Sequence, residues 1–324
     1  MTTRDRLLGL TVVVLWGLNF LAIRAGLDRY PPFFFAALRF LVIAVPVIAF
    51  VPRPNVPVRW LLLYGTGFGV LQFGFLFTAM KVGMPTGLAS LVLQSSAPFT
   101  VVLGVLFLRE RVHPRQVLGI AVAICGMVAI GWDRAQHATL LPVLLTLLAG
   151  LGWAFGNIGS RLAKPPNPLH LTLWMTVVSP IPMLALSAAV EGPTTGWKAL
   201  AGSFNSAGAP GLVGLAYIAL LGTIVGSGIW TLLLTRYPAG VVAPLSLLVP
   251  VVGIAAAWLV LGEQPSALSL AGGVVVIAGA MAATAVPSPS TFSPSEASDA
   301  SILNELTELT EGSPWIGSRS PGTG

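Results

Sequence analysis

Polar side chains set inside long apolar runs are the residues of this sequence that could bind a small solute. Trp16 and Asn19 are three positions apart, as are Ser227 and Trp230, so each pair shares one face of a helix. An aromatic plane beside a hydrogen-bonding group suits a zwitterion with a small side chain. Packing, or a position at a membrane interface, explains the tryptophans equally well, so both interpretations stay open.

Residues 83–98, GMPTGLASLVLQSSAP, form the most unusual apolar run, because it carries Gln94, Ser95 and Ser96 in its middle and ends on a proline. A side-chain amide in hydrocarbon needs a hydrogen-bonding partner or water. The pattern therefore favours a solute cavity for Gln94 over plain packing.

The other candidates have weaker sequence signals. Arg39 lies inside the second apolar run, where insertion into a membrane costs roughly 2.5–3.5 kcal/mol for a central arginine. A role in the cavity and a structural contact with a neighbouring helix both explain this arginine. Asn157 could equally hydrogen-bond to a neighbouring helix. The full set predicted to line a substrate cavity is Trp16, Asn19, Arg39, Gln72, Gln94, Ser95, Ser96, Asn157, Ser227, Trp230 and Ser246.

The elements that must position these side chains are membrane helices. The chain has 324 residues, of which 55% are hydrophobic and 9% charged, against about 25% charged in an average soluble protein. About 20 apolar residues span the hydrocarbon core as a helix. Such runs predict an all-α integral membrane protein with ten transmembrane helices, at about 7–24, 33–51, 59–80, 86–108, 114–132, 140–160, 170–190, 210–235, 239–261 and 267–286.

The two halves of the chain repeat each other. WGLNFLAIR at 16–24 corresponds to WAFGNIGSR at 153–161, and the unusual run at 83–98 has a counterpart at 237–250. The repeat predicts five-helix units at 1–134 and 135–286. Because five is odd, the units have opposite topology, and interrupted helices in corresponding places of inverted repeats point to a transporter binding site.

Charge counts predict the orientation. Loops on the N-terminal side carry ten Lys and Arg residues, and loops on the other side carry five. The positive-inside rule therefore places the N-terminus in the cytoplasm, and an even number of spans returns the C-terminus there. Residues 287–324, rich in Ser, Pro and Thr, are predicted to be a disordered cytoplasmic tail.

Several function classes are disfavoured by what the sequence lacks. It has no HExxH motif, no Gly-Lys phosphate loop and no nucleophile–base arrangement, so we expect no enzyme activity and no cofactor. A single cysteine, Cys125, leaves no metal-binding set, and no basic cluster suggests nucleic acid. None of the eleven acidic residues falls in the middle of a predicted span, which favours a facilitator over a proton-driven pump.

The sequence resembles a known family. The strings WGLNF, AALRF, GMPTGLASLVLQ, IVGSGIW and VAPLSLLVPVVG, with the LxE ends at Leu108/Glu110 and Leu261/Glu263, are similar to the EamA-type drug/metabolite transporters, most of all to their O-acetylserine/cysteine exporter branch. The resemblance implies ten helices, cytoplasmic termini and export of small metabolites across a bacterial inner membrane. The sequence departs from that branch at Ser95, where the branch has a second glutamine.

We therefore expect a transporter that exports small amino-acid-type metabolites, similar to cysteine or O-acetylserine, by alternating access. Its partners are a small-molecule substrate and the lipid bilayer, without nucleic acid, and the sequence does not indicate an oligomeric state. One alternative is an exporter of aromatic amino acids or drugs. Another, from a different class, is a membrane receptor or scaffold that acts through its tail.

Overall fold

Every regular element in the described part of the chain is helical. The computed structural model describes residues 1–109, 114–137, 139–206, 208–237, 242 and 245–284. Met1–Ala285 form one compact unit. The all-α prediction is confirmed for these residues, whereas the tail predicted at 287–324 lies outside them.

The helices follow the predicted apolar runs. Their bounds are α1 Thr3–Leu27, α2 Pro32–Phe50, α3 Val58–Lys81, α4 Thr86–Leu108, α5 Pro114–His137, α6 Leu141–Ala163, α7 Pro168–Glu191, α8 Thr195–Ala201, α9 in three continuous segments (Ala209–Ala216, Tyr217–Val225 and Gly226–Arg236), α10 Val249–Leu261 and α11 Ala267–Thr284. Seven described helices, α1–α4, α6, α7 and α9, are long and apolar enough to cross a membrane, and α5, α10 and α11 contain shorter apolar stretches. The short helix α8 lies in a predicted loop, and part of the predicted run at 239–261 lies outside the described residues.

Contacts between helix ends define two ends of the bundle. At the first end, where α1 begins and α9 ends, Arg236 forms an ion pair with Asp5 at 3.0 Å. The indole of Trp174, near the start of α7, donates to the carbonyl of Val51 just after α2. At the second end, the ammonium of Lys81 donates to the carbonyl of Leu27 at 2.7 Å.

Two glutamates cap helices that are distant in sequence. The Glu191 carboxylate accepts hydrogen bonds from the backbone N–H groups of Phe33 and Phe34 at the start of α2. The Glu263 carboxylate accepts from those of Thr86 and Gly87 at the start of α4. The first turn of a helix has unpaired N–H groups and a positive dipole end, so a carboxylate there stabilises it. These caps fix α2 and α4 at the second end.

Glycines allow α5 and α11 to pack backbone to backbone. A Cβ atom on Gly126 would stand 2.6 Å from the carbonyl oxygen of Gly272 and 2.7 Å from the backbone nitrogen of Val276. Small residues permit such close approach of helices in membranes. Gly126 and Gly272 are therefore packing residues.

We expect Gly126→Ala to lower the thermal unfolding midpoint of the purified protein by several degrees, because overpacking costs about 1–3 kcal/mol. Gly228→Ala is the control, since a Cβ atom there would meet nothing within 4 Å. Thermal unfolding in detergent compares the two variants. Equal midpoints would show that α5 and α11 separate easily enough to accommodate a methyl group.

Candidate functional site

A cavity of about 340 Å³ lies in the middle of the bundle, between α1, α2, α3, α4, α6, α7, α9 and the segment before α10. Nine of the eleven side chains predicted from sequence line it. These are Trp16, Asn19, Arg39, Gln72, Gln94, Asn157, Ser227, Trp230 and Ser246.

The structure does not bring Ser95 and Ser96 to the cavity wall. Helix α4 tightens into a 3-10 turn at Leu93–Ser95, and successive residues of a helix point about 100° apart. With Gln94 on the cavity, the side chain of Ser95 points to Gly150 of α6, and both serines are buried. Predicting the three polar neighbours as one group ignored this rotation.

Two tryptophans form one wall. The rings of Trp16 and Trp230 lie with centroids 5.1 Å apart and planes inclined at 48°. The indole N–H of Trp16 donates to the carbonyl of Gly222 at 3.0 Å, which fixes the orientation of its ring. Packing and cavity lining, the two interpretations left open by the sequence, therefore both describe this pair.

Arg39 presents a buried cation to the cavity. Its side chain is 4% exposed, and one terminal nitrogen, Nη2, donates to the Thr223 hydroxyl at 2.9 Å. The guanidinium carbon lies 3.8 Å from the ring centroid of Phe73 and 5.3 Å from that of Phe40. A cation over an aromatic face is attracted by the ring quadrupole, more so when both are desolvated. The arginine thus ties α2 to α9 and α3 and also lines the cavity.

Two amide side chains connect helices across the cavity wall. The Gln94 amide nitrogen donates to the carbonyl of Ser246 at 3.1 Å. The Asn157 amide nitrogen donates to the Thr100 hydroxyl at 3.0 Å, so Asn157 makes the interhelical bond considered from sequence while it also lines the cavity.

Wide helical turns place several of these groups. Gly65–Gln72 of α3 and Tyr217–Val225 of α9 are π-helical. They bring Phe68 and Gln72 from one helix, and Gly222 and Thr223 from the other, to the same cavity. Such turns are rare and frequently occur at functional sites.

Further residues that the sequence interpretation missed also line the cavity. Among them are Tyr64, Phe68, Phe73, Trp153, Thr172 and Thr223. Trp153 had a signal, because it stands four positions before Asn157 and shares its helix face. Thr223 lies inside Gly222-x-x-x-Gly226, a spacing typical of plain helix packing. The phenylalanines had no polarity to distinguish them from core residues.

The cavity reaches the first end and is closed towards the second. Exposed Pro168, at the start of α7, is part of its lining. Towards the second end Tyr30, Phe34, Phe35 and Phe77 are at most 1% exposed. The Phe35 ring stacks on Tyr30 at 5.5 Å and also contacts Phe77, and the Phe34 ring meets that of Trp197 edge to face. Within the described residues, no group of three or more His, Cys, Asp or Glu side chains could hold a metal ion.

The chain matches one family along nearly its whole described length. The model of the EamA-like transporter family matches residues 6–132 and matches again at residues 140–285. The chain belongs to the EamA-like transporter family. The family resemblance derived from the sequence strings is therefore confirmed, and so is the prediction of a multi-pass membrane transporter.

Curated relatives of this EamA-like transporter carry informative names. A "Probable amino-acid metabolite efflux pump" from Escherichia coli K12 is 43% identical over 285 residues, which cover 86% of this chain and 94% of the relative. The protein of the same name from Salmonella typhimurium is 44% identical, with the same coverage. Both names are consistent with the predicted exporter branch.

A solved crystal structure shares the fold, with a TM-score of 0.58 and 20% sequence identity. The match covers 88% of this chain and 97% of the chain in that structure.

Proposed function

We propose that this EamA-like transporter exports small amino-acid-type metabolites, similar to cysteine or O-acetylserine, by alternating access. The observation that carries the proposal is the central cavity, in which a guanidinium, side-chain amides and a tryptophan pair meet between helices long enough to cross a membrane. Such a set offers hydrogen bonds to a zwitterion and an apolar surface to its side chain. The names of the relatives support the same substrate class.

The proposed architecture is ten transmembrane helices in two inverted repeats, 1–134 and 135–286. Two separate matches of the family model, at 6–132 and 140–285, support the division. The π-helical turns add support, since they fall in the third long helix of each half. With both termini in the cytoplasm of a bacterial cell, as the loop charges indicate, the first end faces inwards. The structure is then an inward-open state that receives substrate for export.

We further propose facilitated transport rather than proton coupling. The five acidic residues in the described part of the chain, Asp5, Asp28, Asp133, Glu191 and Glu263, do not line the cavity. Proton-driven transporters usually relay protons through intramembrane carboxylates or histidines.

Counterflow in proteoliposomes tests this function. Vesicles loaded with one unlabelled amino acid should accumulate the labelled form, with saturable kinetics, for at least one small zwitterion in a panel. Protein-free liposomes are the control. Absence of saturable flux for every small zwitterion would refute the proposal, and stimulation by an imposed pH gradient would refute the facilitator mechanism.

The alternative substrates are aromatic amino acids or drugs. The ring pair of Trp16 and Trp230 on the cavity wall favours them, because aromatic faces stack. Including phenylalanine, tryptophan and an aromatic dye in the panel decides between the two substrate classes.

The scaffold hypothesis is tested by deleting residues 287–324, since a transporter keeps its flux without this tail.

A further inference from the structure

The unpaired polar atoms of the structure are concentrated on the cavity wall. Within the described residues, seven buried side-chain nitrogen or oxygen atoms have no hydrogen-bond partner. Four of the seven belong to three cavity residues and are Nε and Nη1 of Arg39, Oδ1 of Asn19 and Oε1 of Gln72. A buried polar group without a partner is costly, so such a group indicates a site that another molecule completes.

Arg39 also has no counter-ion among the residues that the structure describes. Each described carboxylate is bound elsewhere. Asp5 pairs with Arg236, Asp28 with Arg24, and Asp133 accepts from the hydroxyls of Ser266 and Ser269. The two glutamates cap α2 and α4. The Thr223 hydroxyl, which is neutral, is the hydrogen-bond partner of the Arg39 guanidinium in the described chain.

The three cavity residues are connected through their neighbours. Asn19 contacts Gly222, the residue before the threonine that holds Arg39. Gln72 precedes Phe73, whose ring lies under the guanidinium. Two unpaired N–H donors of a cation and two unpaired amide oxygens, which can only accept, therefore line the same cavity.

We infer that Arg39 binds the carboxylate of the transported metabolite and that the amide oxygens of Asn19 and Gln72 accept hydrogen bonds from its ammonium group. This inference rests on the proposed function and specifies its substrate as a zwitterion with adjacent carboxylate and ammonium groups. Either of the two unpaired donors, Nε or Nη1, can give a carboxylate oxygen a charge-assisted hydrogen bond, which is about twice as strong as a neutral one. The carboxylate of a bound zwitterion gives the buried cation a counter-ion, and the zwitterion adds no net charge to the membrane interior.

The test compares three probes that differ in one group each. They are the labelled amino acid with the fastest counterflow, its carboxamide and its decarboxylated amine. Wild-type protein should prefer the amino acid over both analogues by roughly 10- to 100-fold in KM, the range expected when hydrogen bonds to a charged group are lost. Arg39→Gln should raise the KM for the amino acid by the same factor and leave the KM for the carboxamide nearly unchanged. Arg39→Lys should keep part of the preference, because it keeps the charge.

Arg24→Gln is the matched control, since Arg24 pairs at the surface with Asp28 and does not line the cavity. It should keep both the flux and the preference. Thermal unfolding of each purified variant checks that it is folded. Removing an uncompensated buried charge should leave Arg39→Gln at least as stable as the wild type.

A binding measurement separates this inference from the proposed function. The amino acid, added at millimolar concentration, should raise the unfolding midpoint of wild-type protein, the carboxamide should raise it less, and Arg39→Gln should abolish the difference. Flux with equal KM values for amino acid and carboxamide would overturn the role of Arg39 and leave amino-acid export intact. A carboxylate-dependent thermal shift without flux would support the binding role and overturn export. If neither flux nor a carboxylate-dependent thermal shift is observed, both the role of Arg39 and amino-acid export are overturned.

Discussion

Gly222→Val should lower the transport rate by about fivefold or more, whereas Gly228→Val on the same helix should leave the rate near that of the wild type. A Cβ atom on Gly222 would stand 2.5 Å from the Asn19 side-chain oxygen. The Gly222 carbonyl also accepts the indole N–H of Trp16, so the substitution disturbs two cavity residues together. Overpacking costs about 1–3 kcal/mol, which corresponds to roughly 5- to 150-fold if it falls on the substrate-binding geometry.

The control is well matched. Both glycines lie in α9, both variants introduce the same β-branched residue, and a Cβ atom on Gly228 would meet nothing within 4 Å. Counterflow measures the rate, and thermal unfolding shows whether either variant has lost its fold. A Gly222→Val protein with wild-type kinetics would mean that Asn19 and Trp16 do not need their present positions for transport.

Gln94→Leu should reduce transport by roughly 10- to 100-fold while the protein is still produced and folded. Leucine fills a similar volume but removes the donor that bonds the carbonyl of Ser246 at 3.1 Å. It also removes a polar group from the wall of the proposed substrate cavity. Losing a site's hydrogen bond to a polar ligand accounts for an effect of this size.

Ser95→Ala is the control for Gln94→Leu. Ser95 is the next residue along α4, is fully buried and faces α6 rather than the cavity. Its substitution should leave the transport kinetics unchanged. If Gln94→Leu and Ser95→Ala both keep wild-type transport kinetics, Gln94 is a packing residue.

Much of the helical architecture could be predicted from sequence because membrane helices are selected by length and hydropathy. The apolar runs predicted α1 to α4 closely, since Gly, Pro and charged residues interrupt them where the helices end. The short α8 was missed because seven residues with polar neighbours give no such signal.

The cavity was predictable where polarity and helical spacing agreed. Ser90 and Gln94, four residues apart on α4, both line it. Gly87, three positions before Ser90 on the same face, instead packs against Ile254 of α10. Because Gly87 and Ser90 both lie in the regular helix Thr86–Val92, helical spacing predicts the face but not where along the helix the cavity ends.

The remaining part of the site depends on tertiary structure. The glycines of Gly222-x-x-x-Gly226 do pack against α1, as a groove should, but the residues that they contact, Asn19 and Trp16, are cavity residues. Phe73 has no sequence signal of its own, because its role depends on Arg39 of another helix lying over its ring. Contacts between residues that are far apart in sequence leave no local sequence pattern.

The π-helical stretch of α3 makes the shape of the cavity depend on the number of residues in this stretch. A wide turn contains one residue more than an α-turn, so a chain lacking one residue within Gly65–Gln72 would close into regular helix. The residues after the stretch, Phe73 among them, would keep their places, whereas the side chains within the stretch, such as Phe68 and Gln72, would shift relative to the cavity. Two relatives with identical cavity side chains but a one-residue gap in this stretch would therefore present different pockets, and their substrates should not be equated from residue identity alone.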